Sequence, residues 1–106
     1  QKAKKGKALA LEPKRVRIVN IKHSDYDRLV QVTVRNSSSD TIENALLKIY
    51  ESQGFFGKDI LVSEIKEWAP NEEFLIEFEL AKSNGIIYFL KIEDDEGTIR
   101  VKRIVG

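Results

Sequence analysis

The feature that most constrains this chain is an alternation of apolar and polar side chains in several short stretches. Every second side chain is apolar in residues 30–34 and again in residues 74–80. Successive side chains of a β-strand point to opposite faces of the sheet, so a period of two predicts strands with one buried face. Helices bury every third or fourth side chain instead. We therefore expect a protein built from half-buried β-strands.

Further stretches that fit a strand recur along the chain, separated by Gly, Pro, Asn, Asp and Ser. We predict strands near Val16, Leu29, Ile42, Asp59, Phe74, Ile86 and Thr98. The connections between them are too short for the crossover helices that parallel strands require. The sequence thus predicts an all-β fold, an antiparallel immunoglobulin-like β-sandwich of about seven strands, with an open barrel as the alternative.

One of these stretches fits two patterns. In a strand, Ala45, Leu47 and Ile49 share one face. In a helix, an apolar stripe could instead consist of Leu46, Leu47, Ile49 and Tyr50. We prefer a strand because the stretches on both sides are strands.

Charge is distributed unevenly along the 106 residues, although the net charge is only +1. Residues 1–22 hold eight of the 18 basic residues and one of the 17 acidic ones, which gives this part +7 and the remainder −6. We interpret residues 1–13 as a basic flexible arm or linker and residues 14–106 as the β-sandwich domain. A basic arm on an acidic body predicts either an intramolecular contact or an anionic partner.

The sequence argues against an enzyme. It contains no cysteine and a single histidine, His23, so thiolate chemistry and histidine-based metal or catalytic sites have no basis. His23 with Asp25 and Asp27 fits a turn better than a metal site, and the acidic residues 94–96 lack the spacing of a known calcium loop. Glutamates in residues 72–79 alternate with apolar residues, which indicates a solvated strand face. We predict neither a cofactor nor a metal.

Two adjacent phenylalanines, Phe55 and Phe56, stand between Gly54 and Gly57 and are our candidate protein-binding residues. Both glycines can adopt a positive φ and reverse the chain there. Neighbouring side chains of an extended segment point to opposite faces, so at least one phenylalanine should be exposed. One alternative is that one phenylalanine covers the open end of the sandwich while the other is half covered. Another is contact with a membrane.

Basic side chains provide a second set of candidates, for binding an anion. They are Lys2, Lys4, Lys5 and Lys7 in the arm and Arg100, Lys102 and Arg103 on the last strand. Nucleic acid is the less favoured partner, because the arm has no interleaved aromatic residues for base stacking and the body is acidic. The competing interpretation of the arm is a solvated tail. The competing interpretation of the basic residues on the last strand is that they protect a sheet edge.

The longest apolar runs are far shorter than the roughly 20 residues of a membrane-spanning helix. Gln1 is not a natural first residue, so we interpret the chain as a piece of a longer or processed protein. Contact with a membrane through a span would therefore require a segment upstream of residue 1.

Two polar or aromatic positions also carry predictions. Asn36 begins the triplet Asn36-Ser37-Ser38, which fits the N-glycosylation pattern and would matter in an exported domain. Trp68 precedes Ala69-Pro70 and is expected to anchor the core or its rim, with a partner for its indole N–H.

Three stretches together resemble immunoglobulin-like domains of the cell-adhesion-related (CARDB) type of bacteria and archaea. They are residues 32–36 (VTVRN), 68–72 (WAPNE) and 85–95, and the resemblance extends over roughly residues 14–104. In the family the tyrosine usually follows the glycine by two positions. Here Tyr88 follows Gly85 by three positions, which leaves open whether Tyr88 forms a tyrosine corner. The family commonly has a tight Asp-Gly hairpin where this chain has residues 54–57.

The resemblance implies a non-catalytic module for protein-protein binding, adhesion or assembly, in a larger or membrane-anchored protein. It favours a cell-surface or extracytoplasmic location, with the cytoplasm as the alternative. A protein partner or self-association is our first hypothesis. The second is a binder of nucleic acid or of an anionic surface, acting through the basic arm and the last strand.

Overall fold

The computed structural model describes residues 15–24, 26–82 and 85–105. Within these residues lie seven β-strands: β1 (Val16–His23), β2 (Leu29–Asn36), β3 (Ile42–Gln53), β4 (Phe56–Trp68), β5 (Glu73–Glu79), β6 (Ile87–Asp94) and β7 (Gly97–Val105). The prediction of about seven strands is confirmed, and so is the preference for a strand over a helix at β3.

The strands of the described part form two antiparallel sheets that pack face to face. The first has the order β1-β2-β5 and the second the order β4-β3-β6-β7. This confirms the predicted sandwich. In constant-type immunoglobulin domains the fourth strand belongs to the sheet of the first, second and fifth. Here β4 pairs with β3 over its whole length instead, so β3 and β4 form a long hairpin.

The core lies between the two sheets and consists of the inward side of the alternating pattern. Val30, Val32 and Val34 of β2 are fully buried, as are Leu47 and Ile49 of β3. Most outward side chains of β2 and β5 are polar, with Leu75 as an exposed exception, and some of them pair across the ladder, as in the 2.6 Å contact between Arg35 Nη2 and Glu73 Oε2. Each of these two strands therefore has one apolar and one solvated face, as the sequence predicted.

Bulges interrupt the alternation at some edge strands. In β1 the register shifts at Val19, and this extra residue lets Ile18 and Ile21 both approach the core despite their odd spacing. In β4 the extra residue is Ile60. Because a bulge disturbs the exposed hydrogen-bonding edge, it also protects the sheet from pairing with another chain.

The antiparallel course places three connections at each end of the sandwich. The β1–β2, β3–β4 and β5–β6 connections lie at one end, together with Val105, and we name this the distal end. The other three connections lie at the proximal end, together with Arg15. The described chain thus enters at one end and leaves at the other.

Asn36 links two loops at the proximal end. Its side chain is fully buried, and Nδ2 donates to the carbonyl oxygens of Asp40 and Trp68, both at 2.8 Å. Its Oδ1 accepts from the backbone N–H of Ser38 at 2.9 Å and from the Ser38 hydroxyl at 2.6 Å. The amide nitrogen that a glycan would occupy is thus enclosed. The folded domain does not present Asn36 for glycosylation, although the triplet fits the acceptor pattern.

Trp68 is fully buried at the same end and behaves as the predicted anchor. Its indole N–H donates to the carbonyl of Glu72 at 2.8 Å, and its ring meets Phe74 edge to face with centroids 5.7 Å apart. The intervening turn has Pro70 followed by Asn71 at φ +67°, and the Glu72 N–H donates to the Ala69 carbonyl. A proline followed by a residue with a positive φ is typical of a type II turn.

Tyr88 forms a tyrosine corner, the role that the sequence left open. It is buried near the start of β6, and its hydroxyl accepts a hydrogen bond from the backbone N–H of Ala81 at 2.8 Å. A tyrosine at this corner of the immunoglobulin fold bonds back to the preceding chain in the same way. The extra residue between Gly85 and Tyr88 is therefore accommodated without losing the contact.

Candidate protein-binding surface

The β3–β4 hairpin closes at the distal end in a two-residue turn. Gln53 pairs with Phe56, so Gly54 and Phe55 alone form the turn, and Gly54 has φ +60°. A positive φ at the first central position is typical of a type II′ turn, which matches the twist of a hairpin. The prediction that Gly54 reverses the chain is confirmed. The prediction of the same role for Gly57 is wrong, because Gly57 lies in β4 opposite Ser52 without a positive φ.

Phe55 and Phe56 both project into solvent from this turn. Phe55 is fully exposed and Phe56 is 82% exposed. The alternative in which one of them covers the open end of the sandwich is wrong. The reason is that the last residue pair joining the hairpin to β6 is Ser52 with Ile87. Phe56 lies beyond that pair, where the described sheet offers no strand to pack against it.

Gly57 has a packing role instead of a turning one. The Tyr50 ring lies diagonally across the hairpin on the same face and covers the Gly57 backbone so closely that an added Cβ would overlap the tyrosine hydroxyl and ring. An aromatic side chain placed over a strand glycine in this way compensates for the missing side chain. Tyr50 therefore supports the outward face of the hairpin just below its tip.

We expect Gly57→Ala to destabilise the domain by about 1–2 kcal/mol, because the new methyl group forces the Tyr50 ring away from the strand. Urea unfolding followed by the fluorescence of the single tryptophan measures this loss. In a Tyr50→Ala background the same substitution should cost much less, since the overlap is gone. Additive effects of the two substitutions would contradict this contact.

The inward face of the tip carries an open groove of about 350 Å³, lined by Glu51, Gln53, Phe56, Gly57 and Lys58. The Lys58 ammonium lies 3.9 Å from Glu51 Oε1, and the Lys58 side chain is 72% exposed whereas that of Glu51 is 21% exposed. The groove thus combines one apolar wall with one cation, one anion and one amide. Its formal charge is zero.

A charged network lies on the outward face of the second sheet, next to the hairpin. Lys48 Nζ lies 2.9 Å from Glu93 and 3.9 Å from Asp59, and Lys91 Nζ lies 3.1 Å from Glu93. The hydrogen bond to Glu93 raises the pKa of Lys48. The hydrogen bonds from Lys48 and then Lys91 lower the pKa of Glu93. These groups compensate one another, so this network adds no strong field beside the apolar tip.

Tyr26 is another exposed aromatic residue at the distal end, in the β1–β2 turn, and the sequence reasoning did not single it out. Its turn is held by Asp27, whose carboxylate accepts the Leu29 N–H at 3.2 Å. A hydrogen bond from Ser24, followed by that from Leu29, lowers the pKa of Asp27. Tyr26 belongs to the first sheet and the phenylalanines to the second, so the two features are separate.

The predicted anion-binding residues of the last strand do not form one patch. Arg100 is half buried and uses Nη1 to donate to the Val16 carbonyl at 2.9 Å, which bridges β7 and β1. Lys102 pairs with the inward-pointing Leu90, whereas Arg103 pairs with Phe89 on the opposite face of the sheet. Lys2, Lys4, Lys5 and Lys7 lie outside the described residues. The anion-binding site therefore stays a prediction.

The other candidates for chemistry are engaged in local structure. Asp94 contacts Arg15 at 3.1 Å and Asp95 accepts from Asn44 at 3.0 Å, while Asp25 lies outside the described residues. Among the residues that the structure describes, no group of three His, Asp or Glu side chains is placed to hold a metal ion. Nor does this part of the chain include a helix able to cross a membrane.

No known protein family matches this chain, and a comparison with curated proteins finds no significant relative.

Proposed function

We propose that this domain is a non-catalytic interaction module that binds another protein through the tip of its β3–β4 hairpin. The observation that carries the proposal is the full exposure of Phe55 together with the 82% exposure of Phe56. Contiguous exposed apolar side chains with a polar rim are typical of interaction sites. Aromatic residues that become buried there contribute much of the binding free energy of protein interfaces.

The construction of the hairpin supports this role. The turn is the short type that matches strand twist, and Tyr50 packs over Gly57 directly beneath it. A binding residue held on a well-defined element loses little conformational entropy when a partner arrives. The groove beside Phe56 provides polar groups for orienting that partner.

The shape of the domain supports a role in adhesion or assembly, as does its resemblance to CARDB-type domains. Arg15 and Val105 lie at opposite ends, so copies or other domains can follow one another in series within a longer chain. In such a series the hairpin tip would lie at the junction with whatever follows Val105. A location at the cell surface is part of this proposal.

We expect Phe55→Ser/Phe56→Ser to abolish partner binding while changing the free energy of unfolding by less than about 0.5 kcal/mol, because neither ring is packed in the core. Photo-crosslinking from position 55 in cells identifies the partner, and binding to that purified partner is then measured. Tyr26→Ser is the matched control, since it removes an equally exposed aromatic ring from the same end.

Two results would contradict the proposal. One is a crosslinking pattern from position 55 that is no more specific than the pattern from position 26. The other is equal binding by the phenylalanine variant and the tyrosine control, with circular dichroism showing that both are folded.

A further inference from the structure

We propose that the hairpin tip binds a second copy of this chain, in a two-fold contact that places the two Phe56 rings against each other. This inference rests on the proposed function and names the partner. Phe56 lines a groove and is itself the only large apolar side chain in that groove. The group that fills the groove most naturally is therefore another exposed aromatic ring, and the same tip on a second copy supplies one.

A two-fold interface must be self-complementary, because each patch meets an identical patch. The groove meets this requirement through its charges. Glu51 and Lys58 flank Phe56 and carry opposite charges, so rotation by 180° brings the Lys58 of one copy toward the Glu51 of the other. Their contact within one copy is long, at 3.9 Å, and leaves most of Lys58 exposed. Lys58 therefore retains capacity for a second partner, and the 21% of the Glu51 side chain that stays exposed is where the Lys58 of the other copy would reach it.

The formal neutrality of the groove argues against a strongly charged occupant. An anionic lipid surface attracts clusters of basic residues. At this tip Glu51 offsets Lys58, and insertion of Phe56 into a bilayer would carry the Glu51 carboxylate toward the headgroups. A second copy matches both charges at once, which neither an acidic nor a basic partner does.

The area available indicates a weak and reversible dimer. A buried aromatic ring covers roughly 150–250 Å², so the two Phe56 rings that meet supply roughly 300–500 Å². Even with Phe55 and the flanking polar side chains added, the interface stays at or below about 1,000–1,200 Å², the low end for specific contacts. The edge position of β4 keeps the approach of a second hairpin unobstructed by a neighbouring strand of the described sheet.

An exchange of charges between copies tests this arrangement. Glu51→Lys and Lys58→Glu should each weaken dimerisation by more than about tenfold, since like charges then face each other across the axis. An equimolar mixture of the two variants should dimerise again. When one copy of each variant meets the other, position 51 of each copy faces an opposite charge at position 58 of its partner. Within each copy, the like charges at positions 51 and 58 still repel each other. Sedimentation equilibrium up to millimolar concentration is the measurement, with circular dichroism as the check of folding.

Recovery of the dimer in the mixture would establish the contact between copies, because a purely local effect on each hairpin cannot be rescued in this way. A wild-type dimer that Phe55→Ser/Phe56→Ser dissociates but the mixture does not restore would overturn the two-fold groove contact and leave the proposed function intact. A wild-type monomer at millimolar concentration would overturn the inference, and crosslinking from position 55 would then judge the proposed function separately. Binding to vesicles of phosphatidylcholine and phosphatidylserine by the monomer, lost in the phenylalanine variant, would replace the second copy by a membrane.

Discussion

Replacement of Trp68 by alanine is expected to lower the free energy of unfolding by about 3–5 kcal/mol, the range for large aromatic truncations in a core. The indole is fully buried between the sheets at the proximal end, in edge-to-face contact with Phe74. Its removal leaves a cavity and also leaves the Glu72 carbonyl without the indole donor at 2.8 Å. A small domain has only about 5–15 kcal/mol of stability, so the loss is a large fraction of the total.

Urea unfolding followed by far-ultraviolet circular dichroism measures this effect, since Trp68 is the only tryptophan and its fluorescence disappears with it. Trp68→Phe is the control. It retains most of the ring but not the N–H donor, so it should cost roughly 1–3 kcal/mol. If both variants were destabilised by less than 1 kcal/mol, the proximal end would be able to repack around the cavity, and Trp68 would not be an anchor.

The strands were predictable because each local preference agrees with the fold. In β2 and β5 the alternation follows the buried and solvated faces directly, and proline followed by asparagine predicts the turn before β5. The strand assignment of β3 depended on its neighbours instead. Its own apolar residues fit two periods, and only pairing with β4 and β6 decides between them. A preference that is locally balanced is settled by tertiary contacts, which a single sequence does not display.

The hairpin tip was predictable in part. Adjacent phenylalanines between glycines indicate a turn with an exposed ring, which Gly54 and Phe55 confirm. The exposure of Phe56 depends on where β6 begins, and the role of Gly57 depends on the position of Tyr50 across the strand pair. Both facts are matters of register, and register is fixed by long-range pairing. Tyr26 was missed because a tyrosine beside turn residues gives no signal that separates an exposed ring from a packed one.

Asn36→Ala is expected to destabilise the domain by about 2–4 kcal/mol, although asparagine before a serine-rich loop gives no sign of burial in the sequence. The substitution leaves the buried carbonyl of Trp68 without this donor and removes the acceptor for two groups of Ser38. The carbonyl of Asp40 loses one donor but keeps the Ser38 hydroxyl within 2.9 Å. Each such bond contributes about 0.5–1.5 kcal/mol, and an unsatisfied buried carbonyl costs about 1–3 kcal/mol. Ser37→Ala, in the same loop but exposed, is the control and should change stability by less than about 0.5 kcal/mol.

Asn36→Asp separates the hydrogen bonds from the shape of the side chain. It keeps the acceptor for Ser38 but turns a carboxylate oxygen toward the two carbonyls, which raises the pKa of the new carboxyl above its ordinary value of about 3.9. A raised pKa in the folded state gives stability that is present below about pH 4 and is lost as the pH rises through the folded pKa. Urea midpoints of this variant should therefore fall from acid to neutral pH relative to wild type, whereas the difference for Asn36→Ala should stay constant. A constant difference for both variants would mean that Nδ2 does not bridge the two loops in solution.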